Sequence, residues 1–276
     1  MYTRSLMRSF SAFAVGGLVL LGAGCSREPA PAAPAAGTGA EAVVPSAEGT
    51  RGGAAMVARG ACDHPYYPLR PGYEVRYRSE FTAIGGVSSG GYVLKVTEAT
   101  ATTAKLVATF DSSTPDQPPI VSEQLIECAN GGLMARSYID MGSRVAGGSA
   151  ANQFRVVTRN SSGDMLPADV RVGSEWRNGF DIRMEATTPG PDSPLREPID
   201  LTVSITRRAV AAERVRVPAG EYDALKILAT TDLGMGSSIR GTEWWVEGVG
   251  MVKSTYDLGS GSETAITEAT SVTVPR

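Results

Sequence analysis

Histidine is almost missing from this chain of 276 residues, in which His64 stands alone. A Ser–His–acid relay or a histidine-based metal site therefore has next to no material. Cysteine is scarce as well, with only Cys25, Cys62 and Cys128. Lysine occurs four times, aromatic residues make up 7% and the formal charge is −3. Without a basic stripe the chain has little to offer phosphate backbones, so nucleic acid is not an expected partner. Past the N-terminal leader no apolar run is long enough to span a bilayer. Nor does any stretch of 12 or more residues keep a 3.6-residue period, so helices are not expected.

What is present begins with that leader. Arg4 and Arg8 precede an uncharged stretch from Ser9 to Leu21, too short for a spanning helix and built like a signal-peptide h-region. Leu21-Gly22-Ala23-Gly24-Cys25 resembles the lipobox of bacterial lipoprotein signals, with Gly22 where a branched residue is usual. The resemblance implies that residues 1–24 are a lipoprotein signal peptide and that Cys25 is acylated. Two or three acyl chains, at about 0.8 kcal/mol per buried CH₂, would anchor the chain stably. The alternative is an ordinary signal peptide in which Cys25 is incidental. Ser26, rather than Asp, implies by the enterobacterial sorting rule the outer membrane, on its periplasmic face or at the cell surface. Residues 25–61 are rich in Ala, Pro and Gly and, from Ser26 to Gly60, lack Phe, Trp, Tyr, Leu and Ile. Such a segment cannot offset its conformational entropy by burial and reads as a disordered tether.

From residue 62 to 276 the texture becomes that of an all-β domain. Val75 and Tyr77 alternate with Glu74 and Arg76, and further runs rich in β-formers follow between turn residues. Asn130-Gly131-Gly132 reads as a hairpin turn, and so does Val217-Pro218-Ala219-Gly220. The expected fold is an antiparallel meander forming a curved sheet, half-barrel or barrel, with a β-sandwich as the alternative. Pro68 to Tyr77 and Pro167 to Trp176 share a pattern: Pro, a short spacer, Gly, then a strand with an aromatic. That echo admits either a duplication of two β halves or the ordinary punctuation of strand starts.

Three segments, "YYPLRPGYEVRYR", "RVPAGEYDALKI" and "EWWVEGVGMVKS", together resemble an uncharacterised group of bacterial secreted proteins and lipoproteins. It is a domain-of-unknown-function group related to the TapB-like proteins. Val75 stands where the group's first motif has Trp, and Tyr222 where the second has Phe. The resemblance spans Cys62 to about Val274. It implies a fold and is silent on activity.

With Cys25 assigned to lipid, Cys62 and Cys128 form an even pair in an exported domain, where a disulfide is permitted. Free thiols are the alternative. Gly86-Val87-Ser88-Ser89-Gly90 matches the nucleophile-elbow pattern by letter. However, the only histidine lies upstream and no helix follows, so it reads as a Gly/Ser hairpin tip. No enzyme, cofactor or metal is expected. Trp244 and Trp245 are adjacent in a strand, so one ring should point inward and the other outward. Trp176, Tyr222 and Trp245 are the candidate ligand-binding residues. The functional expectation is a lipid-anchored, non-enzymatic envelope domain that binds an apolar or amphiphilic ligand. Alternatives are a module docking another envelope protein and, third, a hydrolase.

Overall fold

The computed structural model describes residues 62–275, apart from 84–85, 112–117, 140–153, 189–194, 235 and 259–262. The leader, the tether and Cys25 lie outside the described residues. Fourteen strands run in chain order, and no helix occurs among the described residues. They are β1 (Asp63–His64), β2 (Tyr67–Pro68), β3 (Glu74–Ala83), β4 (Gly86–Ala99), β5 (Thr103–Phe110), β6 (Ile120–Ala129) and β7 (Gly132–Ala135). There follow β8 (Phe154–Ser162), β9 (Glu175–Ala186), β10 (Ile199–Val217), β11 (Gly220–Asp232), β12 (Ser238–Val246), β13 (Gly250–Asp257) and β14 (Thr264–Thr273). Strands β1 and β2 form a small hairpin, and the other 12 make one antiparallel sheet in the order β7-β6-β5-β4-β3-β14-β13-β12-β11-β10-β9-β8.

The two ends of that order come back together. Leu133 and Leu166 form a bridge in which Leu133 N donates to Leu166 O at 2.8 Å and Met165 N to Leu133 O at 2.7 Å. Nearby, Tyr138 N donates to Thr158 Oγ1 at 2.9 Å. The sheet is thereby a nearly closed barrel, which hides the edges that would otherwise invite pairing.

Alternation decides which side chains enter it. Ala104, Leu106, Ala108 and Phe110 of β5 are all buried, as are Trp176, Asn178, Phe180 and Ile182 of β9. The opposite parity carries Arg76, Arg78, Glu80 and Arg155 outward, all exposed. That outer wall is not the apolar band that a lipid-facing barrel presents.

The turns follow their residues. Asn130 and Gly131 both have positive φ, 53° and 79°, which is what a two-residue turn of the primed kind requires. Pro218-Ala219 links Val217 to Gly220 in the second hairpin. One expectation is corrected. The Gly86–Gly90 segment is not a hairpin tip but the start of β4, paired with β3 from Ala83 to Ser79. Strand β10 is a single element of 19 residues, running through Leu201–Thr206 and Glu213–Val217. The pairing with β9 and β11 carries the intervening Ala-rich segment, and a bulge between Ala209 and Ala211 absorbs its irregularity.

Candidate functional site

One end of the barrel is capped. Hairpin β1–β2 lies there with Tyr67 and the following Leu69 buried. The Tyr67 ring packs edge-on against Tyr73 at 5.8 Å and against Trp245 at 5.5 Å. Tyr73 Oη donates to Val249 O at 2.8 Å, and Gly248 N donates to Pro65 O at 2.6 Å. Cys62 is joined to Cys128 of β6 by a disulfide, with a Cα–Cα distance of 5.1 Å. The last described residue, Pro275, accepts from Arg70 at 3.3 Å, so both ends of the domain meet at the cap.

His64 belongs to this cap. Its Nδ1 accepts from Tyr66 N at 3.1 Å, which leaves Nε2 to carry the proton donated to Pro167 O at 2.8 Å. That tautomer is neutral. Burial lowers the His64 pKa from its ordinary value of 6.5, against the opposing effect of the Pro167 carbonyl. A lowered folded pKa means that the unfolded chain takes up the proton first. The cap's contribution should therefore be complete above pH 6.5 and should decline as pH falls below it toward the folded pKa. Thermal midpoints of the wild type should drop over that window more than those of His64→Gln. Parallel curves would show that His64 does not titrate between the two states.

The candidate ligand residues are all at this end or against it. Trp176 is buried and donates Nε1 to Met165 O at 2.9 Å. Tyr222 is half-buried and its hydroxyl reaches Ala219 O at 3.2 Å. Trp245 is buried and donates to Glu243 at 2.9 Å. Two surface clefts, of about 280 and 240 Å³, are lined by none of the three. The structure thus gives each ring a packing and hydrogen-bonding role. Ser88 is exposed in β4 opposite Phe81, at the other end of the barrel from His64, so no Ser–His pair forms.

Part of the inner wall, over strands β9 to β13, carries a buried polar cluster that the sequence did not reveal. Arg207 on β10 donates Nε to Glu243 on β12 at 3.1 Å and Nη1 to Asn178 on β9 at 2.9 Å. Glu243 also accepts from Tyr256 Oη at 2.7 Å and Trp245 Nε1 at 2.9 Å. The three groups around the pair, Asn178 on β9, Tyr256 on β13 and Trp245 on β12 itself, are held in place by the ladder. Burial pushes the Glu243 pKa up, but the adjacent guanidinium and the three hydrogen bonds outweigh it and leave the carboxyl below its usual range. Tyr256 is pushed well up by burial and by that carboxylate. Among the described residues no group of three or more His, Cys, Asp or Glu could hold a metal ion.

Toward the far end the lumen changes character. Phe81, Ile120, Val156, Met184, Leu201 and Ile239 have inward parity on six different strands, and each is only half-buried. Packing that is complete at the cap is thus incomplete here, with an apolar ring left partly accessible. Alternation along the strands signals their inward parity, but only the strand order shows that they share one end.

The outer face carries one aromatic. Trp244 points out, as alternation predicts, between its cross-strand neighbours Lys226 and Lys253, whose Nζ atoms lie 5.7 and 5.8 Å from the ring. Its Nε1 donates to Glu213 at 2.6 Å, a bond that lowers the Glu213 pKa against a small burial effect, with help from Lys226. All three motifs noted in the sequence therefore meet: Tyr67 and Tyr73 from the first, Lys226 from the second, Trp244, Trp245 and Lys253 from the third.

Fold and lumen together define an all-β barrel domain, capped by a disulfide-tied hairpin and carrying a buried ion pair on its inner wall. The chain belongs to the DUF3108-like family, whose model matches residues 81–261. Among solved structures it is similar to a protein from Bacteroides fragilis described as exported and of YmcC-like fold, at 14% identity and a TM-score of 0.49, covering 74% of this chain and 96% of that one. It is also similar to a protein from Parabacteroides distasonis described as a lipoprotein, at 12% identity and a TM-score of 0.49, covering 76% and 99%. The lipoprotein YmcC of Escherichia coli K12 matches at 9% identity and a TM-score of 0.32, covering 72% and 85%. No curated protein matches the chain in sequence.

Proposed function

We propose that this protein is a lipid-anchored envelope lipoprotein whose barrel takes up the apolar part of an amphiphilic ligand at its far end. The observation that carries this reading is the ring of inward-facing, half-buried apolar side chains, Phe81, Ile120, Val156, Met184, Leu201 and Ile239. Apolar surface left accessible on the concave side of a barrel is what a ligand of matching character would cover. The polar cluster below sets the depth, since an acyl chain passing Arg207 and Glu243 would have to break the ion pair. Acylation of Cys25, residues 25–61 as a spacer and placement at the outer membrane complete the proposal, on the strength of the lipobox. Relatedness to the TapB-like proteins rests on the three motifs. The chain joins the domain at Cys62, on the capped side, so the ring is on the side turned from the attachment point.

Lipid retained by the domain would be visible in native mass spectrometry, and an apolar fluorophore should bind with saturation. Leu201→Glu, which places a charge in the ring, is expected to weaken fluorophore binding at least tenfold, while Val121→Glu on the outer face should leave it unchanged. Saturable binding that is indifferent to Leu201→Glu, or no binding at all, would favour the docking of another envelope protein instead.

A further inference from the structure

The lumen holds more buried hydrogen-bond donors than the protein itself uses. Tyr73 Oη donates to Val249 O, Tyr77 Oη to Met251 O at 2.7 Å and Tyr256 Oη to Glu243. The hydroxyls of Tyr67 and Tyr92, residues with 7% and 3% exposure, make no hydrogen bond among the described residues. The same holds for Ser254 Oγ, at 3% exposure, and for Nη2 of Arg207, whose other nitrogens bind Glu243 and Asn178. Buried donors are as a rule satisfied, by protein, by ordered water or by a ligand.

Position links these four groups. Tyr92 points inward on β4, cross-strand from Tyr77 and Phe110, and packs on both rings at 4.7 and 5.2 Å. Ser254 is the cross-strand partner of Glu243 and so neighbours the Arg207 ion pair. Burial raises the Tyr92 pKa most, and Tyr77, Tyr67 and Tyr256 raise it further. Its hydroxyl therefore stays protonated, within electrostatic reach of the cap on one side and of the Glu243 cluster on the other.

The apolar ring leads toward them. On β4 the next inward position beyond Tyr92 is Gly90, which has no side chain, and then Ser88 opposite Phe81. Tyr77, paired with Tyr92, is four residues from Phe81, and Glu243 is four from Ile239, in each case about 13 Å of strand. An amphiphile covered by the ring with its polar end inward would meet these donors. Arg207 can only donate, and the hydroxyls can donate with it, so the matching head is an acceptor. Glu243 already balances Arg207. An anionic head would thus be buried without a counter-charge, whereas a carbonyl oxygen needs none.

We infer that Tyr67, Tyr92, Ser254 and Arg207 form a head-group subsite, which takes the uncharged carbonyl of an ester-bearing amphiphile inserted head first. The inference rests on the proposed reading of the lumen as an amphiphile site and adds the orientation and chemical class of the ligand. Displacement of an apolar fluorophore from the mature chain tests it, with decane, methyl decanoate and decanoate as competitors above neutral pH. Methyl decanoate is expected to bind about tenfold more tightly than decane, the worth of roughly one net hydrogen bond, and more tightly than decanoate. Tyr92→Phe removes a hydroxyl that has no partner in the protein, so its thermal midpoint should not fall. Its affinity for methyl decanoate should drop at least fivefold while its affinity for decane stays. Equal binding of decane and ester, a preference for decanoate, or an ester affinity unmoved by Tyr92→Phe would overturn the subsite and leave the lumen reading standing. Failure of all three competitors to displace the fluorophore would sink the lumen reading, and the subsite with it.

Discussion

Removing the Glu243 carboxylate alone, as in Glu243→Leu, should destabilise the domain by about 3–5 kcal/mol, because Arg207 is then left buried without its counter-charge. Arg207 and Glu243 retain 10% and 2% side-chain exposure, so water cannot replace the missing partner. Arg207→Met should cost a similar amount for the mirrored reason. The double variant should recover part of the loss, since neither charge then remains. Recovery will be incomplete, because Tyr256, Trp245 and Asn178 each lose a partner at about 1 kcal/mol per bond. Urea titrations of the four proteins give the coupling directly. If the double variant loses the full sum of the singles, the two residues do not act as a pair. Acid gives an independent check with a defined sign. The folded Glu243 pKa is below its ordinary 4.5, so its contribution is complete above that value and is lost as pH falls through the folded pKa.

Cys62→Ala with Cys128→Ala is the second large perturbation. The disulfide closes a separation of 66 residues, which the chain-entropy model values at about 4 kcal/mol. Guanidinium titrations of the double variant and of the reduced wild type should agree. A loss under about 1 kcal/mol would mean that the packing of Tyr67 and Leu69 holds the cap without the crosslink.

Much of this fold was legible because strands announce themselves locally. Val75 and Tyr77 against Arg76 and Arg78 state a period of two, and Asn130-Gly131 states a turn whose φ values few other residues tolerate. The opposed directions of Trp244 and Trp245 follow from the same period. What alternation cannot state is height within the barrel. It assigns Trp176, Trp245, Phe81 and Leu201 to the same inner face, yet the first two end at the cap and the others at the far ring. The polar cluster was hidden for a related reason. Arg207 sits beside Arg208 in a run that reads as solvated, and only the ladders through β11 bring it opposite a glutamate 36 positions later. Gly86–Gly90 misled because glycine and serine usually mark turns, whereas here pairing with β3 holds them extended.

The position of Cys62 governs how the domain would respond to a pull from its N-terminal side. A load arriving there passes through sulfur into β6, which is laddered to β5 and β7, instead of peeling β1 and β2 away one hydrogen bond at a time. Because Cys128 lies at the end of a strand that is laddered on both sides, the applied force would have to shear several backbone bonds together, which is the loading geometry that sheets resist best. Reduced protein stretched from residue 62 should therefore shed its cap at low force, and oxidised protein should keep it until the barrel itself gives way.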